Sequence, residues 1–274
     1  MLFREHQPLS CLKPYVKYYW TLELDLPLPQ DSRSSMRLLA EGFEFTFNMA
    51  DTIEIINCDG RAKHISASGI TGPMSRPMRI RSTGTINVFG ICFHPGGGYP
   101  FFKYPAHEMV DLSTDTDYLW GAKGRAFVEH IHNDCGTTQA RIEAVNAYLS
   151  RCLKSNLRED VVTQKAIETI ESCKGRIAVE QLARQLGLSS RHLARKFKEQ
   201  IGMSPKHLCR NIRFKQVYKR IEAATHYNWA DVALAFGYYD QSHFINEFKY
   251  FTGKSPETYF LSSPNGPDFF SANF

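Results

Sequence analysis

Asp231-Val-Ala-Leu-Ala-Phe-Gly237, then Gln241-Ser-His-Phe-Ile-Asn-Glu-Phe-Lys-Tyr250, then Gly253-Lys-Ser-Pro256 restate an arrangement met some fifty residues earlier. The earlier copy runs Val179-Glu-Gln-Leu-Ala-Arg-Gln-Leu-Gly187, Ser190 to Gln200, and Gly202-Met-Ser-Pro205. Before the turn the copies align at an offset of 50 (Ala183 with Ala233, Gly187 with Gly237), and after it at 51 (Phe197-Lys198 with Phe248-Lys249). The second turn is therefore one residue longer. The pattern is an internal repeat of a helix-turn-helix unit.

Each copy follows from spacing. Leu182, Ala183 and Leu186 fall on one helical face, as do Val232, Ala233 and Phe236. The small alanine lets a second helix cross closely. Gly187 and Gly237 suit the left-handed conformation that ends a helix, and Ser189 and Asp240 are placed to cap the next one. In the second helix Leu193 and Phe197 turn inward, leaving Arg191, Ala194, Arg195 and Lys198 outside. The matching outward set in the second copy is Ser242, Ile245, Asn246 and Lys249, with Phe244 and Phe248 inside. An exposed helix carrying arginine at that place suits the major groove. Each closing Ser-Pro starts another helix. The first of these, Pro205 to about Ile221, buries Leu208, Ile212, Val217 and Ile221 and reads as a rod joining the two units.

These residues resemble the AraC family of bacterial transcription regulators, whose DNA-binding domain is two helix-turn-helix units joined by a linker helix. The pattern stands here as Leu182-Ala183, Ser189, Leu193, Phe197-Lys198, Gly202, Ser204-Pro205 and Arg213. It continues as Val232-Ala233, Phe236-Gly237-Tyr238, Ser242, Phe244, Phe248-Lys249, Gly253 and Ser255-Pro256. The resemblance implies double-stranded DNA as partner. It implies base contacts from Arg191, Ala194 and Arg195 in the first unit and from Ser242 and Asn246 in the second. Arginine to guanine is the expected pairing for Arg191 and Arg195, and Ala194 offers only a methyl. Lys198, Arg210, Arg213 and Lys249 are expected at phosphates. A rigid linker helix would set the recognition helices about one DNA turn, roughly 34 Å, apart.

Charge agrees. The net charge of +5 over 274 residues hides an asymmetry. Residues 161–261 hold 16 Lys/Arg against 9 Asp/Glu, so the remainder carries −2. Within that span residues 174–220 hold 13 basic and 2 acidic side chains, and residues 221–261 hold 2 and 5. Basic residues gathered on the first unit are the footprint of phosphate contact, and the acidic balance of the second suits positioning more than reading.

The length allows two domains with separate cores. No apolar run approaches the ~20 residues needed to cross a membrane, and the first residues lack the pattern of a signal peptide. Seven scattered cysteines without a Cys-x-x-Cys pair fit a reducing cytoplasm rather than a disulfide scaffold or zinc knuckle. Ahead of the repeat, Tyr15 to Leu24, Phe43 to Phe47, Thr52 to Ile56 and two segments within Met78 to His94 read as strands. Pro27 to Ser35 and Ser66 to Pro77 read as loops, and Cys58-Asp-Gly60 as a hairpin turn. The expected fold is α+β: an N-terminal antiparallel, cupin-like β-barrel, a helical connector, and an all-α tandem helix-turn-helix domain. The expected segments are 1–112, 113–158, 159–261 and a tail at 262–274.

The family resemblance in the first half rests on Arg76-Pro77 and Pro95-Gly-Gly-Gly-Tyr-Pro-Phe-Phe102. It implies a domain that senses a small-molecule effector, and carries no effector-binding residues. Leu119 to Ile131 and Gln139 to Leu153 have helical periodicity. In the family such helices often form a homodimer contact; here they equally suit packing on the barrel. RNA polymerase is a further partner that the resemblance implies.

Enzyme chemistry has no residues to stand on. His130 and His132 point apart on a helix, because helical neighbours lie three or four residues away. His64, His94 and His107 lack the His-x-His and following Glu of a metal-binding cupin, so neither metal nor cofactor is expected. Pro95-Gly-Gly-Gly98 lacks the Lys-Ser/Thr of a phosphate loop, and no Gly-x-Ser-x-Gly elbow occurs. Two rivals to a ligand-controlled regulator remain in the first half. One is a cupin-type enzyme, marked by clustered histidines. The other is a non-sensing interaction domain, marked by a pocket filled with aromatics such as Phe45, Phe47 and Phe89.

Overall fold

The computed structural model describes residues 2–24, 34–37, 40–57, 60–102, 104–156, 160–222 and 228–261. The expected tail at 262–274, most of the Pro27 to Ser35 loop, and Cys58 and Asp59 of the expected turn lie outside them. Among the described residues ten strands form the first half: β1 (Leu2–His6), β2 (Val16–Leu24), β3 (Ser34–Arg37), β4 (Glu44–Asn48), β5 (Ile53–Ile56), β6 (Ala62–Ile65), β7 (Ser68–Thr71), β8 (Met78–Ser82), β9 (Ile86–Phe93) and β10 (Ser113–Asp115). They make a six-stranded sheet, β1-β2-β9-β4-β7-β10, and a four-stranded sheet, β3-β8-β5-β6. Every pairing is antiparallel, and none joins the two sheets among the described residues.

The sheets face each other through apolar side chains. Trp20, Leu22, Ile86 and Val88 of the larger sheet meet Ile53, Ile55, Met78 and Ile80 of the smaller one. The space left between them is only about 50 Å³. Gly90 sits opposite Trp20 in register, and the indole lies against it so closely that a Cβ there would stand 2.1 Å from Cε2. Gly90→Ala is therefore expected to displace Trp20 and lower stability by about 1–3 kcal/mol. Denaturant unfolding reads this as a lower midpoint at unchanged slope; a wild-type midpoint would mean the indole does not rest there.

The opposite face of the six-stranded sheet carries Tyr19, Phe45, Phe47, Phe89, Ile91 and Phe93, all essentially fully buried. They do not fill the space between the sheets. They meet two helices, α2 (Asp117–Asn133) and α3 (Thr138–Asn156), whose Phe127, Val128, Ile131, Ile142, Val145 and Leu149 belong to the same core. Phe45 stacks on Trp120 at 4.7 Å, and Tyr19 donates to Asn146 Oδ1 at 2.7 Å. The apolar faces of the connector helices are spent on the sheet. Gly121, at φ 58°, kinks α2 near its start. Before α2 come a short helix α1 (Tyr99–Phe102) and a 3-10 turn at Ala106–Met109.

One expected loop contains a strand. Within Ser66 to Pro77, Ser68–Thr71 forms β7, paired to β4 and β10 and wholly buried. Gly69 is needed there, because a Cβ would meet the Ile65 side chain at 2.9 Å.

Among the described residues the second half holds only helices: α4 (Val161–Ser172), α5 (Val179–Gln185), α6 (Ser190–Gln200), α7 (Pro205–Glu222), α8 (Trp229–Ala235), α9 (Gln241–Thr252) and α10 (Pro256–Leu261). Two cores share α7. Leu208, Cys209 and Ile212 join Leu182, Leu193 and Phe197 in the first. Phe214, Val217, Tyr218 and Ile221 join Ala233, Phe244 and Phe248 in the second. At 18 residues α7 is about 27 Å long, which lets one straight element serve both cores.

Candidate nucleic-acid interface

Both units are built as their spacing dictates. Gly187 and Gly237 take φ of 68° and 75° after α5 and α8, the left-handed stop that L side chains resist. Ser189 then caps α6 by accepting from His192 N at 3.2 Å, and Asp240 caps α9 by accepting from His243 N at 2.7 Å. Leu193 and Phe197 on α6, and Phe244 and Phe248 on α9, are fully buried. Those anchors fix which face each helix presents to solvent.

On α6 that face carries Arg191, Arg195 and Lys198, all exposed, with Ala194 half-buried between them. The spacing of 191, 195 and 198 makes one stripe along the helix. On α9 the equivalent stripe is Ser242, Asn246 and Lys249, all exposed, while Ile245 is half-buried against the second core. The extra residue of the second turn brings forward a side chain that the spacing did not single out: Tyr239 is 88 % exposed at the entry to α9.

Arg210 and Arg213, expected at phosphates, stand on α7 with their guanidinium groups turned to α9. Arg210 Nε donates to both carboxylate oxygens of Glu247 at 3.1 Å, and Arg213 Nη2 lies 3.7 Å from Oε1. Arg210 also covers the Tyr250 ring at 4.6 Å, and Arg213 covers Tyr238 at 5.0 Å. As placed, both are engaged inside the domain. A lone acid on an otherwise basic or neutral recognition helix was the available sign of this pairing. A second link joins the units: Arg176 Nη2 donates to Ala235 O at 2.5 Å, at the C-terminal end of α8, where a cation is favoured.

The first half packs against α6, α7 and α9. Glu41 accepts from Lys215 Nζ of α7 at 2.5 Å, both nearly buried. Tyr99 donates to Glu199 of α6 at 2.8 Å; burial first, then that carboxylate, push the phenol up to about 12. The Ala106–Met109 turn lies under Gly202, where a Cβ would stand 2.9 Å from Ala106 O. Arg76 reaches the Tyr250 ring at 5.9 Å.

Between the halves lies a cleft of about 740 Å³, bounded by Lys13, Tyr15, His94 and Pro95 on one side and by α4 and α6 on the other. Asp160 closes one end, accepting from Lys196 at 2.5 Å and Gln200 at 2.7 Å while capping α4 through Thr163 N. Burial opposes its charge, yet these hydrogen bonds leave the carboxyl below its ordinary range. Thr163 Oγ1, in the same wall, is buried without a hydrogen-bond partner among the described residues. Burial, with Lys17 nearby, lowers His94 and favours its neutral form.

His130 bonds Asp134 at 2.7 Å and His132 bonds Ala67 O at 3.1 Å. Among the described residues no group of three His, Cys, Asp or Glu is spaced to hold a metal ion, and no helix is long and apolar enough to cross a membrane.

Residues 182–262 match the family model for a helix-turn-helix domain, and residues 4–115 match one for a domain of unknown function, DUF6597. No curated protein matches the chain. Among solved structures, ToxT from Vibrio cholerae is similar at 13 % identity, covering 95 % of this chain and 98 % of that one, with a TM-score of 0.48. Apo ToxT from V. cholerae strain SCE256 is similar at 12 % identity over 94 % and 99 %, with a TM-score of 0.49. A probable AraC family transcriptional regulator from Rhodopseudomonas palustris is similar at 24 % identity over 37 % of this chain and 96 % of that one, with a TM-score of 0.34. The second half of the chain, with its repeat of two units and their shared linker helix, therefore carries a helix-turn-helix domain.

Proposed function

We propose that the protein is a sequence-specific transcription regulator in which α6 reads base edges and α9 chiefly positions the complex. The observation that carries this is the stripe of Arg191, Arg195 and Lys198, held outward on a helix whose other face is locked by Leu193 and Phe197. Arg191 and Arg195 pair with guanines, Ala194 offers a methyl, and Ser242 and Asn246 are the shorter base-facing groups of the second unit. Lys198 and Lys249 meet phosphates. Arg210 and Arg213 would reach phosphates only by leaving Glu247. The test is binding to labelled duplex from the gene's own upstream region against a scrambled duplex, across a salt series. A preference that persists at higher salt supports the reading. Equal, steeply salt-dependent binding of both duplexes leaves only counterion release and counts against it.

Control by a small molecule fits the cleft between the halves better than the space between the sheets. The cleft has a volume usual for ligand sites, and the space between the sheets has room for little more than water. An effector there would meet Lys196 and Gln200 on α6, and would shift DNA binding only if it prefers one arrangement of the two halves. We expect compounds that raise the melting temperature to change DNA affinity as well, and Val162→Trp, which puts an indole into the cleft, to weaken both effects. Responses that survive Val162→Trp would place the effector elsewhere.

A further inference from the structure

The contact between α7 and α9 is mostly aromatic. Phe214 packs on Phe248 at 5.5 Å and on Phe251 at 4.7 Å. Such faces hold two helices together but tolerate small slides and rotations, because dispersion and burial are not directional. One group in this contact is directional. Glu247 is 6 % exposed and receives Arg210 Nε on both oxygens, with Arg213 beside it. A carboxylate shared by two arginines fixes distance and rotation together. Burying such a set adds little to stability compared with apolar residues of the same volume, and its best attested use is to select one register.

We propose that Glu247 is a positioning residue: through Arg210 and Arg213 of α7 it fixes the register of α9 on the linker helix, and with it the half-site spacing that the protein accepts. It does not touch DNA. The side chains around it are aligned for the same end. Arg210 bonds Glu247 and lies over the Tyr250 ring, and the first half reaches that ring through Arg76. Arg213 is held against Tyr238, the residue that follows the left-handed Gly237 of the second turn. The axial position of α9 and the exit of the turn before it both converge on one carboxylate, and the first half touches the Tyr250 ring beside it.

The proposal rests on the DNA-reading function and has its own readout. Duplexes are selected from a random pool with the full wild-type chain. Affinity is then measured for the selected duplex, for versions with one to three base pairs inserted or removed between the half-sites, and for a duplex keeping only the α6 half-site. Glu247→Gln is expected to flatten the spacing profile, losing about tenfold of the discrimination between correct and shifted duplexes. Its affinity for the single half-site should stay within about twofold of wild type. Glu247→Asp, which keeps the charge, should restore part of the profile.

A spacing profile unchanged in Glu247→Gln overturns the proposal. So does an equal loss on every duplex, the half-site included, since that marks a merely structural role. Should Glu247→Gln not fold, Arg210→Lys serves instead, because it keeps the charge and removes the planar fork; it is held to the same outcomes. A wild-type chain that selects no duplex at all would instead defeat the DNA-reading function itself.

Discussion

Arg191→Ala combined with Arg195→Ala is expected to erase the preference for specific over scrambled DNA, at about 1–3 kcal/mol for each bidentate arginine–guanine pair removed. Both guanidinium groups stand exposed on the outward face of α6, four residues apart, so they would enter a major groove together. Among the described residues neither forms an ion pair that substitution would break, unlike Arg210 and Arg213. The double substitution should therefore leave the melting temperature nearly unchanged while specificity falls. Single substitutions should relax recognition at different base positions. Lys198→Ala makes the contrast: it should weaken all duplexes alike and reduce the salt slope by about one. If the double variant keeps the wild-type preference, α6 contributes charge alone and the reading head lies elsewhere.

The units were legible in the sequence because their chemistry is local. A glycine forced to positive φ, a capping Ser or Asp and an inward aromatic sit at fixed offsets, and the repeat states them twice. The fate of Arg210 was not legible in that way, since its partner Glu247 lies 37 residues away across a helix–helix contact. The first half shows the same limit. Alternation in Phe43 to Phe47 located β4, yet alternation cannot say which face meets solvent, and here neither does. Phe45 and Phe47 meet the α2 and α3 helices, whereas Thr46 and Asn48 turn toward the other sheet. Asn48 is satisfied there by three backbone carbonyls, those of Asp51, Ile65 and Ser66. The strand at Ser68–Thr71 was hidden for a different reason. Its small residues are chosen by what crowds them, and crowding is a property of the packed molecule.

Lys215→Met is expected to cost about 3–5 kcal/mol, because it leaves the Glu41 carboxylate buried without its cation. Burial chiefly, and then Lys17, lower the affinity of Lys215 for its proton below the ordinary 10.5, while Glu41 acts to raise it. The sign follows. The unfolded chain binds this proton more tightly than the folded one, so Lys215 makes folding more favourable as pH rises toward 10.5, and less so below its lowered folded value. A charge kept at such a site is poorly explained by stability, and the double substitution Glu41→Leu with Lys215→Met makes the case. Replacing both partners of a buried pair is often neutral, or stabilising by about 1–4 kcal/mol. The double variant should melt at or above the wild-type temperature. Glu41 belongs to the sheet domain and Lys215 to the middle of the linker helix, so the pair fixes how the first half sits on the rod between the two helix-turn-helix units. Calorimetry of the three proteins decides this. A Lys215→Met melt that drops by several degrees or splits in two, beside a double variant that recovers, means the pair sets alignment more than strength. A single variant melting as wild type does would show the two halves held together by their other contacts, such as Tyr99 with Glu199 and the packing at Gly202, without the pair.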